Sequence, residues 1–362
     1  MSSRNSDSCK AATSRTLQSK SNLAAKLARA SGILLLLLAV AVVLSASVGA
    51  VTVPPADVAK VIVNHTPALG EVYHFSIPEP VDRIIWQIHI PRMLLGALVG
   101  MSLAMAGAVL QGLLLNPLAD PYMIGVSSGA AVGAGIAVIL GLSGILMGFG
   151  IPLFAFISAL IAVSAVYMLA HRGGKVSVLS FILAGVVVGS FMWAALTFMM
   201  TVASQNLETI VFWTMGSLAG SDPWSRVFML TPFAFAGFLV LYAFARDLNI
   251  FALGEESARY LGLEVESLKR ILIGVVTLIT AAAVSVSGTI GFIGLMVPHI
   301  ARRLVGPDHR ILIPCSALLG AVFMIAADVV ARTAMAPTEI PVGVITALLG
   351  APFFLYLLRR TQ

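Results

Sequence analysis

The chain has 362 residues, of which 59% are apolar and only 10% charged, with a formal net charge of +6. A soluble domain carries about 45–50% apolar and about 25% charged residues, so this composition excludes an aqueous globular fold and points to an integral membrane protein, which the long apolar runs below make an all-α one. The positive charge is not a nucleic-acid stripe, because the basic residues flank the apolar runs, where topology is set.

In chain order, residues 1–28 are Ser-rich and basic and read as a disordered cytoplasmic tail, leaving 29–362 as a single transmembrane domain. A signal peptide is the competing reading of this end, with Ile33–Leu44 as its apolar core and Ser45–Ala50 as a small-residue cleavage site. The long basic leader and the apolar run beyond Ala50 speak against it. A spanning helix needs about 20 apolar residues. Such runs occur at Ala30–Ala56, Met93–Ala119, twice within Pro121–Ala170, and at Val176–Leu207, Val227–Ala245, Ile271–Ala301, Ile311–Ala327 and Ile340–Leu358. Residues 57–90 form the main external segment, a short ordered loop.

Ile271–Ala301 lies between two basic pairs, Lys269/Arg270 and Arg302/Arg303. If both pairs are cytoplasmic, the run must hold two short helices, broken at Gly288, Gly291 and Gly294. That gives about ten spans with both termini inside. Of the 22 Lys and Arg residues, all but Lys60, Arg83, Arg92, Arg226 and Arg332 then fall on the cytoplasmic side. This satisfies the positive-inside rule and predicts a multi-pass membrane protein with both termini cytoplasmic.

Catalytic and cofactor signatures are weak. Gly173-Gly174-Lys175-Val176-Ser177 approaches a phosphate-binding loop but lacks its first glycine and adjacent hydroxyl, so an ATP site is expected on a separate chain. Gly125-Val126-Ser127-Ser128-Gly129 fits G-x-S-x-G, yet it sits in an apolar helical run rather than a strand–turn–helix elbow, which disfavours an intramembrane hydrolase. Cys9 lies in the polar tail and Cys315 in an apolar span, so they form no disulfide framework, and no metal set is apparent. Asp328 is an acid within an apolar run, four residues from Arg332 and on the same helix face. A paired charge near the external end is the plain reading, and an ion relay is the alternative, which would make the protein an ion-coupled secondary transporter.

Residues 246–270 form the longest internal cytoplasmic segment. Glu255 and Glu256 suit the first turn of a short helix, Arg259 its last turn, and Gly262 its stop. Leu253, Ala258 and Leu261 would form a small apolar patch, read either as cover for the bundle or as a docking surface.

Several segments together resemble one family. Ile90-Pro91-Arg92, Asn116–Pro121, Gly125–Gly129, Ala252–Gly262, Gly291–Arg303 with Gly306–Arg310, Ala327–Arg332 and Glu339–Pro352 follow the order and spacing of FecCD-type permeases. These are the membrane subunits of ABC importers for iron–siderophore, haem and cobalamin. The resemblance implies a type II importer fold of ten helices and a second permease subunit, a homodimer by default. It also implies two ABC ATPase subunits carrying ATP and Mg, and an extracytoplasmic solute-binding protein. This chain would bind no cofactor or nucleic acid itself. Carried over residue by residue, ATPase coupling would fall to Ala252, Leu253, Gly254, Glu255, Ser257, Ala258, Arg259, Leu261 and Gly262. Arg92 and Arg332 would meet the binding protein. His89 stands where several relatives have another arginine, and Arg83 is a substitute. Val178 and Leu179 occupy the place of a small polar cytoplasmic gate, which would make the gate apolar and closed by dewetting.

Overall fold

The computed structural model describes residues 3–49, 53–145, 148–203, 205–220 and 222–360. Helix α1 (Ser3–Ser47) is followed by a paired helical cap, α2 (Pro55–His65) and α3 (Pro67–Gly70). A short α4 (Glu79–Arg83) then runs through one π-helical turn, Ile84–His89, into α5 (Ile90–Leu113). Helices α6 (Val126–Ile139) and α7 (Gly150–Ala170) form a hairpin. A two-stranded ribbon, β1 (His171–Arg172) and β2 (Lys175–Val176), leads into α8 (Val178–Val202), α9 (Leu207–Met215) and α10 (Pro223–Ala243). Two short helices, α11 (Ala245–Phe251) and α12 (Glu255–Tyr260), precede α13 (Val265–Ser287). The chain ends with α14 (Ile293–Val305), α15 (His309–Thr333) and α16 (Val342–Arg360).

Among the described residues, seven helices are long and apolar enough to cross a membrane. Helices α6 and α16 are shorter apolar helices, and the 13-residue α14 completes the set of ten. The end of the bundle at which Lys269, Arg259, Arg302 and Arg310 make their polar contacts is called the basic end below.

Helix α1 begins well before its apolar stretch, which starts at Ala25. The helix therefore continues through the segment expected to be a disordered tail. Ala11, Ala12 and Leu17 are good helix formers, and extending an existing helix is far cheaper than nucleating one. The Ile271–Ala301 run also differs from expectation. It holds one full-length helix and one short one, because α13 starts at Val265 and carries Glu266, Lys269 and Arg270 in its first two turns. The break lies at 288–292, where Gly288 has φ +69° and Gly291 follows, whereas Gly294 lies inside α14. Residues 57–90, expected to be a short ordered loop, are ordered but largely helical, and form a cap with Val58, Val61 and Ile85 packed against Ala46 and Ile90.

Helix α5 is the hub. It packs on α15, α10, α13 and α14, and 83% of its most apolar stretch is buried. One apolar core lies toward the basic end, around Leu110, Leu113, Phe181 and Leu272. A second lies toward the opposite end, around Leu95, Val99, Leu230 and Met324. The hub is possible because small residues let backbones touch. A Cβ added at Gly100 would lie 2.1 Å from the Gly320 carbonyl oxygen, so α5 and α15 meet backbone to backbone.

Helix α14 contains Pro298, which cannot donate to the carbonyl of Gly294 one turn earlier. No water is available in the apolar core to replace that bond. The Gln111 amide does so from α5, donating at 3.3 Å to Gly294 O and 3.2 Å to Leu295 O. Its own oxygen accepts from Arg302 Nη1 at 3.0 Å. Gln111→Met keeps the shape and removes the donor, and it should destabilise the folded protein by about 1–3 kcal/mol. Thermal unfolding in detergent measures this, and an unchanged midpoint would show that α14 satisfies its carbonyls without Gln111.

Candidate functional site

Two polar assemblies stand out, one at each end of the bundle. At the basic end, α12 projects between two glycines that no other residue replaces without strain. Gly254 has φ +103° and Gly262 φ +84°. Gly262 closes α12 in a Schellman arrangement, with Gly262 N donating to Arg259 O and Leu263 N to Ala258 O, both at 3.0 Å. Glu255 and Glu256 occupy its first turn and Arg259 its last, as the sequence indicates.

The apolar patch is differently composed from the one read in the sequence. Ala258 is fully buried in the same apolar core as Val265 and Leu268 of α13, and so fastens α12 to the bundle. Leu253 (65%) and Leu261 (64%) do face outward, joined by Tyr260 (91%), which sequence reasoning did not single out. A surface aromatic carries no periodic signal in a six-residue helix.

Beneath α12 lies a four-charge network. Lys269 Nζ, almost fully buried, lies 2.8 Å from Glu255 Oε2 and 3.7 Å from Glu266 Oε1. Arg259 Nη2 lies 2.6 Å from Glu255 Oε1 and 3.1 Å from Glu266 Oε1. Both partners also grip the backbone of β2: Lys269 Nζ donates to Val176 O at 3.1 Å, and Val176 N donates to Glu266 Oε2 at 3.2 Å. The projecting helix is thus tied to the ribbon that immediately precedes α8, where Val178 is half-buried and Leu179 exposed. Sequence reasoning missed Lys269 and Glu266 as members of this site, because only the fold brings the short α12 and the β2 backbone against the start of α13.

The same end carries a second tie. Asp308 caps α15, accepting from Arg310 N at 3.0 Å and bonding the Arg310 guanidinium at 2.6 Å. Asn249 of α11 donates to Asp308 Oδ1 at 2.7 Å and accepts from His309 N at 2.9 Å. The bonds from Arg310, with help from Asn249, hold the Asp308 carboxyl at about 2. Its stabilising effect is therefore complete above the ordinary value of about 4 and is lost as pH falls through about 2.

At the opposite end, Arg92 and Arg332 do not present free heads. They are 7% and 5% exposed, and His89 is 6% exposed. Arg92 bonds Asp328 Oδ1 through Nε and Nη2 at 3.1 and 3.0 Å, and Glu339 through Nη1 at 2.9 Å. Arg332 Nε lies 3.0 Å from Asp328 Oδ2, and its Nη2 donates to Ser45 Oγ at 2.9 Å. His89 Nδ1 meets Ala46 O at 2.9 Å. The residues expected to face a partner instead join α1, α5, α15 and the loop before α16 into one neutral tetrad. Burying a lone charge is too costly, so each cation has drawn its carboxylate from within the chain. Arg83, by contrast, has 65% of its side chain exposed and, among the described residues, pairs with Glu79 on its own helix.

Among the described residues, the long apolar helices pack into one bundle and a short helix is held out at its basic end. Comparison with known proteins places it: residues 37–360 match the FecCD transport family. The chain is 47% identical over 300 residues to the cobalamin import system permease protein of Halobacterium salinarum, covering 82% of this chain and 80% of that protein. It is 37% identical over 334 residues to the hemin transport system permease protein of Yersinia pestis, covering 91% and 95%. A solved metal-chelate type ABC transporter in an inward-facing conformation superposes with a TM-score of 0.77 at 31% identity, over 90% of this chain and 97% of that one. The chain belongs to the FecCD transport family, and its fold is that of an ABC importer permease.

Removing Asp328 would strand two buried guanidinium groups around one remaining carboxylate. Asp328→Ala should cost about 3–5 kcal/mol and lower the yield of folded protein sharply. Arg92→Ala should cost less, because Arg332 still neutralises Asp328. Equal unfolding midpoints for wild type and Asp328→Ala would show that the tetrad carries no structural weight.

Proposed function

We propose that this chain is the membrane-spanning subunit of an ATP-driven importer for bulky metal chelates of the cobalamin, haem and iron–siderophore class. The observation that carries the reading is α12, an exposed helix fixed at both ends and bearing Leu253, Tyr260 and Leu261 outward. A family fold with such a helix at the basic end fits a docking surface for an ATPase subunit that brings ATP and Mg. By the positive-inside rule the basic end is cytoplasmic, with both chain termini there, in a bacterial or archaeal inner membrane.

The charge network supplies a route for coupling. A rigid displacement of α12 would pull Glu255, and through Lys269 and Glu266 would move Val176 at the mouth of α8. Val178 and Leu179 follow directly, and in a dimer of two such chains they would form an apolar cytoplasmic gate that closes by excluding water. A solute-binding protein would dock on the external cap, with exposed Arg83 as the available cation and the tetrad beneath holding the platform firm. The chain itself would bind no cofactor. An ion-coupled transporter fits less well, because Asp328 is held between two arginines and is not free to take up and release an ion.

The test is reconstitution in liposomes with the candidate ATPase and binding protein, using labelled cobalamin, haem and a ferric hydroxamate. ATP-dependent uptake of at least one is expected, and uptake driven by an ion gradient without ATP would overturn the reading. Leu253→Asp with Leu261→Asp should insert normally and lose the copurifying ATPase. Gly262→Val should weaken that association as well, since a β-branched residue in the left-handed region costs roughly 1–2 kcal/mol and unwinds the helix stop. Normal ATPase association in both variants would mean that α12 merely covers the bundle.

A further inference from the structure

A groove of about 330 Å³ runs between α7 and α13, with no part in the coupling network or the tetrad. Its walls are Leu160, Val163, Met168 and Ile273. On α13 it follows Arg270, Ile273, Gly274 and Thr277, which share one helix face at spacings of three and four. From Arg270 to Thr277 is seven residues, or about 10 Å along the helix.

The two ends of the groove differ. Arg270 and Tyr167 form its rim at the basic end. Arg270 is exposed and, among the described residues, makes no ion pair or hydrogen bond, whereas its neighbour Lys269 is buried and fully engaged. Glu266, one turn before Arg270, is already taken by Arg259 and the Val176 amide. Between the ends the lining is apolar apart from Ser164, and the floor opens at Gly274, where an added Cβ would meet nothing within 4 Å. At the deep end Thr277, 6% exposed, has a hydroxyl with no hydrogen-bond partner.

An occupant must be anionic at the membrane surface and apolar for about 10 Å below it. A soluble anion meets only the first condition and a protein loop has no reason to enter the apolar layer. We infer that this groove binds an anionic phospholipid of the cytoplasmic leaflet, its phosphate on Arg270 and one acyl chain along Gly274. The inference rests on the basic end being cytoplasmic. Free basic side chains at this level attract anionic headgroups, and the attraction of one of them corresponds to about a fivefold preference over a zwitterionic lipid.

The experiment uses the full-length permease with its ATPase, delipidated and then exchanged into phosphatidylglycerol or phosphatidylcholine of identical chains. Retained lipid is counted by mass spectrometry of the intact complex, alongside the unfolding temperature. Wild type should retain phosphatidylglycerol about fivefold better and unfold at a higher temperature with it. Arg270→Gln should abolish the preference while leaving retention of phosphatidylcholine unchanged. Gly274→Leu, placed where the backbone has room, should reduce retention of both lipids without altering insertion. Equal retention of the two lipids by wild type would overturn the site, as would an undiminished preference in Arg270→Gln. Protection by inorganic phosphate alone would assign Arg270 to a soluble anion instead. Loss of the ATPase from Arg270→Gln with lipid retention intact would assign it to the subunit interface.

Discussion

Inside a bilayer no water replaces a lost partner, and α5 is the helix on which that constraint is discharged. It carries Arg92 at one end and Gln111 at the other, and each reaches across to groups that would otherwise be stranded. Between them Gly100 brings α5 into backbone contact with α15, and Gly107 does the same with α14, where an added Cβ would lie 1.8 Å from Gly294 O. The short, proline-containing α14 can exist at this depth only because α5 accepts it so closely. Without Gln111 this proline-containing helix would leave the Gly294 carbonyl bare.

This arrangement divides the molecule into a stiff part and a loosely held part. The helices around α5 share two continuous apolar cores and cross-linked polar ends. Helix α8 is far less embedded than α5, with 17% of its apolar stretch buried and Leu183, Val187, Phe191 and Phe198 exposed. Its firmest polar tie runs through β2 to Lys269 and Glu266. A helix with few buried contacts moves at low cost, and one anchored through charges at a single end moves when that end is pulled. The proposed coupling therefore needs no deformation of the core, only a shift of α12 relative to α13 that carries β2 with it.

The sequence was informative where the physics is local. Apolar runs gave the membrane helices, and charge asymmetry forced two helices into Ile271–Ala301, though the start of α13 at Val265 was hidden by its charged first turns. Gly262 was legible as a helix stop because its neighbours matched a C-terminal cap. Ala258 was misassigned because a six-residue helix has too few turns to fix which face is buried. Tertiary ion pairs were beyond reach. Asp328 and Arg332 are four residues apart and readable as a pair, but Arg92 lies 236 residues from Asp328 and 247 from Glu339.

The tetrad also shows why charge placement alone misleads in a membrane protein. An arginine at the outer end of a span runs against the charge bias of the chain, and an external partner is one way to account for it. The structure supplies another: Arg92 and Arg332 balance Asp328 and Glu339, so the cluster is formally neutral and has no net charge to steer a partner. Its effect is geometric, fixing the ends of α1, α5 and α15 against the loop before α16. Glu339 alone keeps a substantial exposed edge, with 41% of its side chain accessible. Any electrostatic recognition on that face must then rest on Glu339 and on exposed cap residues such as Arg83, while the buried arginines hold the surface in shape.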